Sequence, residues 1–466
     1  MQHDKPYFFV GIGGSGMMPL AMILAGQGAT VAGSDRSLDA GRLPAKFDDL
    51  KRRGVGLFPQ DGSGITSPDP IVVASAAIEA SVPDMVRAAE LGSERMTRAE
   101  LNARLFNAAP QSIGVAGTSG KSTVTGMIGW ILQACGRDPT VMNGAVMKNF
   151  VSPDAPFASA LVGAGDAYVS EVDESDGSIA LYWPKVAVLN NVSLDHMPMA
   201  QLIELFGAFI AKAGKAVVNL DNGEGAALAM TLPADRLTTF AIEGEADLVA
   251  RAIEQQRFGV AFDLHARGGA PLRVTLQVPG RHNVANALAA LGAVEAAGVP
   301  LADAVAAIQG FAGLKRRFEL VGEANQVAVI DDFGHNPDKI AATLDTLHAF
   351  PGRLLLLFQP HGYGPLKVMR EELVAMFASK LGEDDLLILP DPVYQGGTVT
   401  REVTSADIVA DVAVGGRRAL HVPDREAAAA HLVAQARPGD RIVVMGARDD
   451  TLSVLAQTMV EQLAPR

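Results

Sequence analysis

One stretch leaves few folds open to this chain: Ser112-Ile113-Gly114-Val115-Ala116-Gly117-Thr118-Ser119-Gly120-Lys121-Ser122-Thr123. Ile113 to Ala116 is an apolar run of strand length. Glycines punctuate the turn after it, and Val124, Met127, Ile128, Ile131 and Leu132 follow at helical spacing. A strand, a glycine turn, Lys-Ser and a helix together form a holder for a nucleoside triphosphate. Glycine lets the backbone come close, and the N–H groups of the turn and the helix N-terminus face the phosphates. On that reading Lys121 reaches the terminal phosphates and the Ser122 hydroxyl coordinates Mg²⁺. The loop is shorter than the general motif, which wants a glycine where Val115 stands.

A second glycine turn lies near the start. Tyr7-Phe8-Phe9-Val10 reads as a strand and runs into Gly11-Ile12-Gly13-Gly14-Ser15-Gly16. A helix through Met17–Ala25 and a strand at Thr30–Ala32 follow, ending at Gly33-Ser34-Asp35. By rule this is a dinucleotide fingerprint, with a diphosphate at the helix N-terminus and Asp35 placed to meet a ribose. It does not say which nucleotide. An NAD-dependent dehydrogenase would satisfy it but would leave the Lys121 loop unexplained.

Further polar clusters sit where strands end. Tyr168-Val169-Ser170 ends in Glu171-Val172-Asp173-Glu174-Ser175-Asp176, and Val186–Asn190 in Asn191-Val192-Ser193-Leu194-Asp195-His196. Ligands of open parallel sheets collect at the carboxyl ends of strands, so these clusters converge with the phosphate loop on one crevice. Oxygen ligands suit Mg²⁺, which makes Glu171 the natural choice and His196 the less expected one. Pro279-Gly280-Arg281-His282-Asn283-Val284-Ala285-Asn286 leads into an alanine-rich helix, Ala287–Ala297, and either caps it or meets a nucleotide. Lys315-Arg316-Arg317 is a short basic run. Val327–Ile330 then ends in Asp331-Asp332-Phe333-Gly334-His335-Asn336-Pro337, and Leu354–Phe358 in Gln359-Pro360-His361.

The strand–helix alternation makes this an α/β chain, and 466 residues suffice for about three domains. Boundaries fall at 1–109, 110–313 and 314–466. Asp and Glu (52) outnumber Lys and Arg (39), and the net charge of −13 argues against nucleic acid as a partner. Cys135 is the single cysteine, which excludes an internal disulfide and argues against a Cys-based zinc site. No apolar run of the ~20 residues needed to span a bilayer occurs. The N-terminus carries no cleavable apolar region, so the chain reads as cytoplasmic, with no membrane partner. Nothing in it chooses between a monomer and a homodimer.

Taken in order, the motifs resemble those of the Mur ligase family over nearly the whole length, nearest its alanine-adding branch. Val10–Met17 with Gly33-Ser34-Asp35 is similar to the family's uridine-nucleotide domain. Ala116–Thr123 resembles its ATP loop, and Glu171–Ser178 with Asn191–His196 its metal-binding stretches. The resemblance implies a Rossmann-like N-terminal domain, a central P-loop ATPase domain and a Rossmann-like C-terminal domain. It implies an ATP- and Mg²⁺-dependent ligase joining L-alanine to UDP-N-acetylmuramate through an acyl phosphate, in peptidoglycan precursor synthesis. Gly11, Gly13, Gly14, Ser15, Gly16 and Asp35 would bind the UDP moiety. Gly117, Thr118, Ser119, Gly120, Lys121, Ser122 and Thr123 would hold ATP phosphates, with Ser122, Glu171 and His196 on the metal. His282, Asn283 and Asn286 would face the adenine nucleotide. Arg317 would reach the phosphates, Asp331 or Asp332 would meet the ribose or the loop, and His335 would line the amino-acid site and act on the amine.

The implied chemistry suits those residue types. A carboxylate is a poor acyl donor until phosphorylation supplies a phosphate leaving group, and phosphoryl transfer needs positioning and charge neutralisation. The acceptor side departs from the family pattern Phe-Gln-Pro-His-Arg-Tyr-Thr-Arg: here Gly362 and Pro365 replace both arginines, with Lys367 the nearest substitute. Asn336 replaces the second of two paired histidines, and Ser119 stands where His is common. These departures point to two rivals: a related ligase with another amino acid or a peptide as acceptor, as in peptidoglycan recycling, and a non-catalytic nucleotide-binding regulatory subunit.

Overall fold

The computed structural model describes residues 5–76, 78–193, 197–393, 401–447 and 449–464. The chain has a three-domain α/β fold built on three sheets. Tyr7–Val10 is central in the first, a five-stranded parallel sheet with Gly56–Phe58 and Val31–Ser34 on one side and Ile71–Ala74 and Arg95–Thr97 on the other. All four residues of that strand are buried, so it shows no alternation and reads as a continuous apolar run. The chain leaves it in both directions, and the turn Gly11–Gly16 stands at that reversal, where parallel sheets place their ligands.

The second sheet has ten strands, and its order brings the loop's neighbours together. Gln111–Ala116 lies between Val186–Leu189 and Ala167–Glu171, parallel to both. The register sets Ala116 against Leu189 and Val115 against Glu171. The segment 190–191 and the carboxylate of Glu171 therefore flank Gly117. The third sheet runs Glu319–Ala324, Val327–Asp332, Arg441–Met445, Leu354–Phe358, Leu386–Leu389, Ala419–His421, and is parallel apart from the first hairpin.

Two compact units result. One is Met1–Glu254, Ala261–Gln277 and His282–Leu314; the other is Gln255–Val260, Val278–Arg281 and Lys315–Arg466. Within the first, one apolar core runs beneath both sheets, joining Leu101, Leu105 and Phe106 to Tyr168, Tyr182, Phe206 and Phe209. Element ends differ modestly from expectation. The strand expected at Thr30–Ala32 spans Val31–Ser34, and the helix expected at Ala287–Ala297 spans Arg281–Ala296. Its earlier start puts Asn283 and Asn286 on one helical face, three residues apart.

Candidate active site

The phosphate loop is held by asparagines. Asn191 accepts from Ser119 N–H through Oδ1 (2.8 Å) and donates its amide to Ser119 O (3.0 Å). Asn190 donates to Ser119 O (3.0 Å) and to Asn286 Oδ1 (2.9 Å), and Asn286 donates in turn to Asn283 Oδ1 (3.0 Å). Thr118 Oγ1 donates to Ser193 O (3.0 Å). Gly120 has φ +86°, and a Cβ there would come 2.5 Å from both Asn190 Nδ2 and Asn286 Oδ1. Only glycine fits that turn.

Lys121 and Ser122 open the helix Lys121–Ala134, with Thr123 third. Lys121 Nζ donates to Gly117 O (2.8 Å) and to Glu174 Oε2 (2.9 Å), and Ser122 Oγ donates to Glu171 Oε2 (3.0 Å). The other oxygen of Glu171 accepts from Gly144 N–H. Asp173 lies beside them. Burial would raise its pKa, but Lys121, the two Ser175 donors and Arg98 outweigh that and leave it lowered. The donor set is therefore a hydroxyl and carboxylates, all oxygen, the chemistry of a magnesium site. His196, the remaining metal-ligand candidate, lies outside the described residues.

At the first glycine turn Gly11 takes φ +76°. Asp35 spends both oxygens locally, accepting from Gly13 N–H (2.8 Å) and Ser37 N–H (2.7 Å), so it braces the turn and caps the following helix. Gly13, Gly14 and Ser15 precede Gly16, where a Cβ would stand 2.7 Å from Arg98 Cδ.

The second unit gathers the other candidates. Arg317 and Arg316 stand over the Phe333 ring, 4.5 and 5.1 Å from its centroid. His335 Nδ1 lies 3.0 Å from Phe333 O, which places the proton on Nδ1 and leaves Nε2 as acceptor. Its ring meets His361 edge-on at 5.5 Å. Burial, then the charge of Lys339, then those of His361 and Arg317 bring His335 down to about 4 against the pull of Phe333 O, so it is neutral at physiological pH. Asp332 accepts from Phe318 N–H (2.8 Å), Gly334 N–H (2.8 Å) and Thr343 Oγ1 (3.2 Å), and so braces the end of its own strand. Asp331 accepts from Ser453 Oγ (2.8 Å) and lies 3.5 Å from Arg316. Burial pushes it up to about 6, against Arg316 and Ser453. Lys367, the nearest substitute for the missing arginines, is ion-paired with Glu402.

Glu174, Asn190, Asn191 and Arg98 were not singled out from the sequence. The Asn pair at a strand end carried a signal, since Asn side chains hold turns. For Glu174 no local signal separates it from its acidic neighbours; the sheet order selects it.

Three family models match in sequence order: "Mur ligase family, catalytic domain" over residues 6–109, "Mur ligase middle domain" over 115–294 and "Mur ligase, glutamate ligase domain" over 316–448. A UDP-N-acetylmuramate–L-alanine ligase of Geotalea uraniireducens is 33% identical over 464 residues, covering 98% of this chain and 97% of its own. Its namesake in Streptomyces coelicolor is 36% identical over 462 residues, 96% of each. Among solved structures, UDP-N-acetylmuramate-alanine ligase MurC of Thermotoga maritima matches with TM-score 0.80 at 22% identity, covering 98% of this chain and 99% of its own. The murein peptide ligase of Psychrobacter arcticus matches with TM-score 0.72 at 22% identity, covering 99% of each. Motif order, sheet order and full-length similarity agree, and the chain belongs to the Mur ligase family.

Proposed function

We propose that this protein is an ATP-dependent, ADP-forming ligase joining the carboxylate of UDP-N-acetylmuramate to the amine of L-alanine, for peptidoglycan synthesis in the cytoplasm. The observation that carries the reading is the grouping of Lys121, Ser122, Glu171 and Glu174 at adjoining strand ends, on a loop whose glycine admits no side chain. The names of the relatives supply the substrates. Domain limits at 1–109, 110–313 and 314–466 follow the motif blocks. No helix among the described residues is long and apolar enough to cross a membrane.

The loop residues Gly117 to Thr123 bind the phosphates, and Lys121 neutralises charge as the γ-phosphoryl group passes to the substrate carboxylate and ADP leaves. Ser122 and Glu171, with His196, would hold Mg²⁺, which when bound would supply further charge neutralisation. His282, Asn283 and Asn286 serve the adenosine, and the turn Gly11–Gly16, with Arg98 at its side, serves the uridine diphosphate. The amine nitrogen then attacks the acyl carbon and phosphate departs. Arg317 is assigned to phosphate charge and His335 to the amine. A neutral imidazole whose Nε2 is the acceptor orients the neutral amine by accepting one of its N–H bonds, leaving the nitrogen lone pair for attack; a pKa of about 4 makes it a positioning group and not a strong general base.

A second reading keeps the chemistry and changes the acceptor to a peptide. Gly362 and Pro365 favour it, because they remove two cations that would grip a small amino acid's carboxylate. Phosphate release with UDP-N-acetylmuramate, ATP, Mg²⁺ and a panel of acceptors tests both. Turnover with L-alanine is the expected outcome, and turnover with peptides only establishes the second reading. Nucleotide binding with no turnover on any acceptor removes the ligase assignment in favour of a regulatory subunit.

A further inference from the structure

The ligase reaction just proposed needs two sites on two sheets held at a fixed spacing: the turn Gly11–Gly16 for one substrate and the loop Gly117–Thr123 for the other. One helix, Arg98–Ala108, spans them. It starts on a complete capping box, in which Thr97 Oγ1 accepts from Glu100 N–H (3.1 Å) and the Glu100 carboxylate accepts from Thr97 N–H (2.7 Å). Arg98 and Asn102, one turn apart, share a face. Arg98 lies along Gly16 and stands 4.0 Å from Asp176.

Asn102 is fully buried, and its amide is satisfied by three side chains of the central domain. It donates to Ser170 Oγ (2.9 Å) and Tyr182 Oη (2.9 Å) and accepts from Tyr168 Oη (3.0 Å). Both phenols stay protonated, since burial pushes Tyr182 up to about 12 and Tyr168 well above the usual value. Ser170 directly precedes Glu171 and donates to its carbonyl (2.8 Å). Phe106 seals the network edge-on against Tyr168 and Tyr182, at 6.1 and 5.2 Å. Apolar packing alone would tolerate a slide of the helix along the strand. A directional network does not, because each slip leaves a buried polar group unpaired.

We infer that Asn102 is a positioning residue: it fixes the helix carrying Arg98 in register with the strand that ends in Glu171, and so sets the spacing between the uridine-nucleotide turn and the ATP loop. A misplacement of about 1 Å between reacting groups lowers turnover on the order of 10²-fold while leaving each binding surface intact. The signature is a split between kcat and affinity.

The test uses the full chain with Asn102→Leu, which keeps the branched heavy-atom skeleton and removes the bonds, and Tyr182→Phe, which removes one hydroxyl. The separate dissociation constants of ADP and UDP-N-acetylmuramate should stay within about twofold, while kcat falls at least tenfold in Asn102→Leu and less in Tyr182→Phe, if register alone is lost. Unchanged kcat in folded Asn102→Leu overturns the inference. If that variant does not fold, Tyr182→Phe decides: an unchanged kcat, or weaker binding of either ligand alone, overturns it. A wild-type protein with no turnover on any acceptor fails the ligase reading instead. The coupling between the two ligands then becomes the measure, with UDP-N-acetylmuramate expected to tighten ADP binding in the wild type and not in the variants.

Discussion

Lys121 Nζ stands 2.9 Å from Glu174 Oε2, across 53 residues of sequence, and Glu174 is only 3% exposed. The ammonium of the phosphate loop is thus aimed by a buried carboxylate as well as by Gly117 O. Removing Lys121 takes away the ammonium proposed for phosphate charge and also leaves Glu174 without its cation. Lys121→Ala is expected to lower phosphate release about 10²-fold or more. Uridine-nucleotide binding, proposed for the turn Gly11–Gly16 on the other sheet, should change less than about twofold, since distant sites act independently. Retained turnover would remove the loop from the mechanism.

Ser122 and Glu171 share a hydrogen bond of 3.0 Å, and both offer the oxygen donors that suit the magnesium proposed there. With Glu171→Gln the half-saturating Mg²⁺ concentration should rise about tenfold or more, the range seen when metal-site groups are altered. Chelation of the metal should stop phosphate release in the wild type. A magnesium titration that superimposes on wild type would exclude Glu171 from the site.

Gly120 occupies the left-handed region at φ +86°, with two asparagine side chains in the space of a Cβ. Gly120→Ala must shift Asn190 or Asn286 and strain the backbone, at a cost of roughly 1–3 kcal/mol. Thermal unfolding should show that loss, and ATP affinity should drop with it. An unaltered melting temperature would contradict the geometry of the turn.

The pH dependence of stability has two opposed parts. His335 titrates near 4 when folded and at 6.5 in the unfolded chain, so the unfolded state takes up the proton first and stability falls as pH drops from 6.5 towards 4. Asp331 runs the other way: raised from 3.8 to about 6, it favours the folded state at low pH and loses that contribution as pH rises through 6. His335→Gln removes only the first part. Its melting temperature relative to wild type should therefore improve as pH is lowered from 7 to 5. A difference that stays constant over that range would mean His335 is not buried as a neutral ring.

Much of this protein is legible in its sequence because the relevant signals are local. Two apolar strands running into glycine turns, Gly11–Gly16 and Gly117–Gly120, specify two strand–turn–helix units, and the ordered motifs identify the family. Pairings between distant residues are not local, and only the tertiary structure decided them. Asp35, placed by spacing for a ribose, also braces Gly13 and caps a helix, a role the spacing does not announce. Glu171 and Glu174 look alike in sequence, yet one faces Ser122 and the other Lys121, because Ala167–Glu171 pairs in register beside Gln111–Ala116. Asn102 looks like any polar residue of an amphipathic helix until three side chains of another domain close around it. Sequence patterning sets which backbone forms and which face is apolar. Which buried polar groups satisfy one another depends on sheet order and register, and those emerge only when the whole core packs.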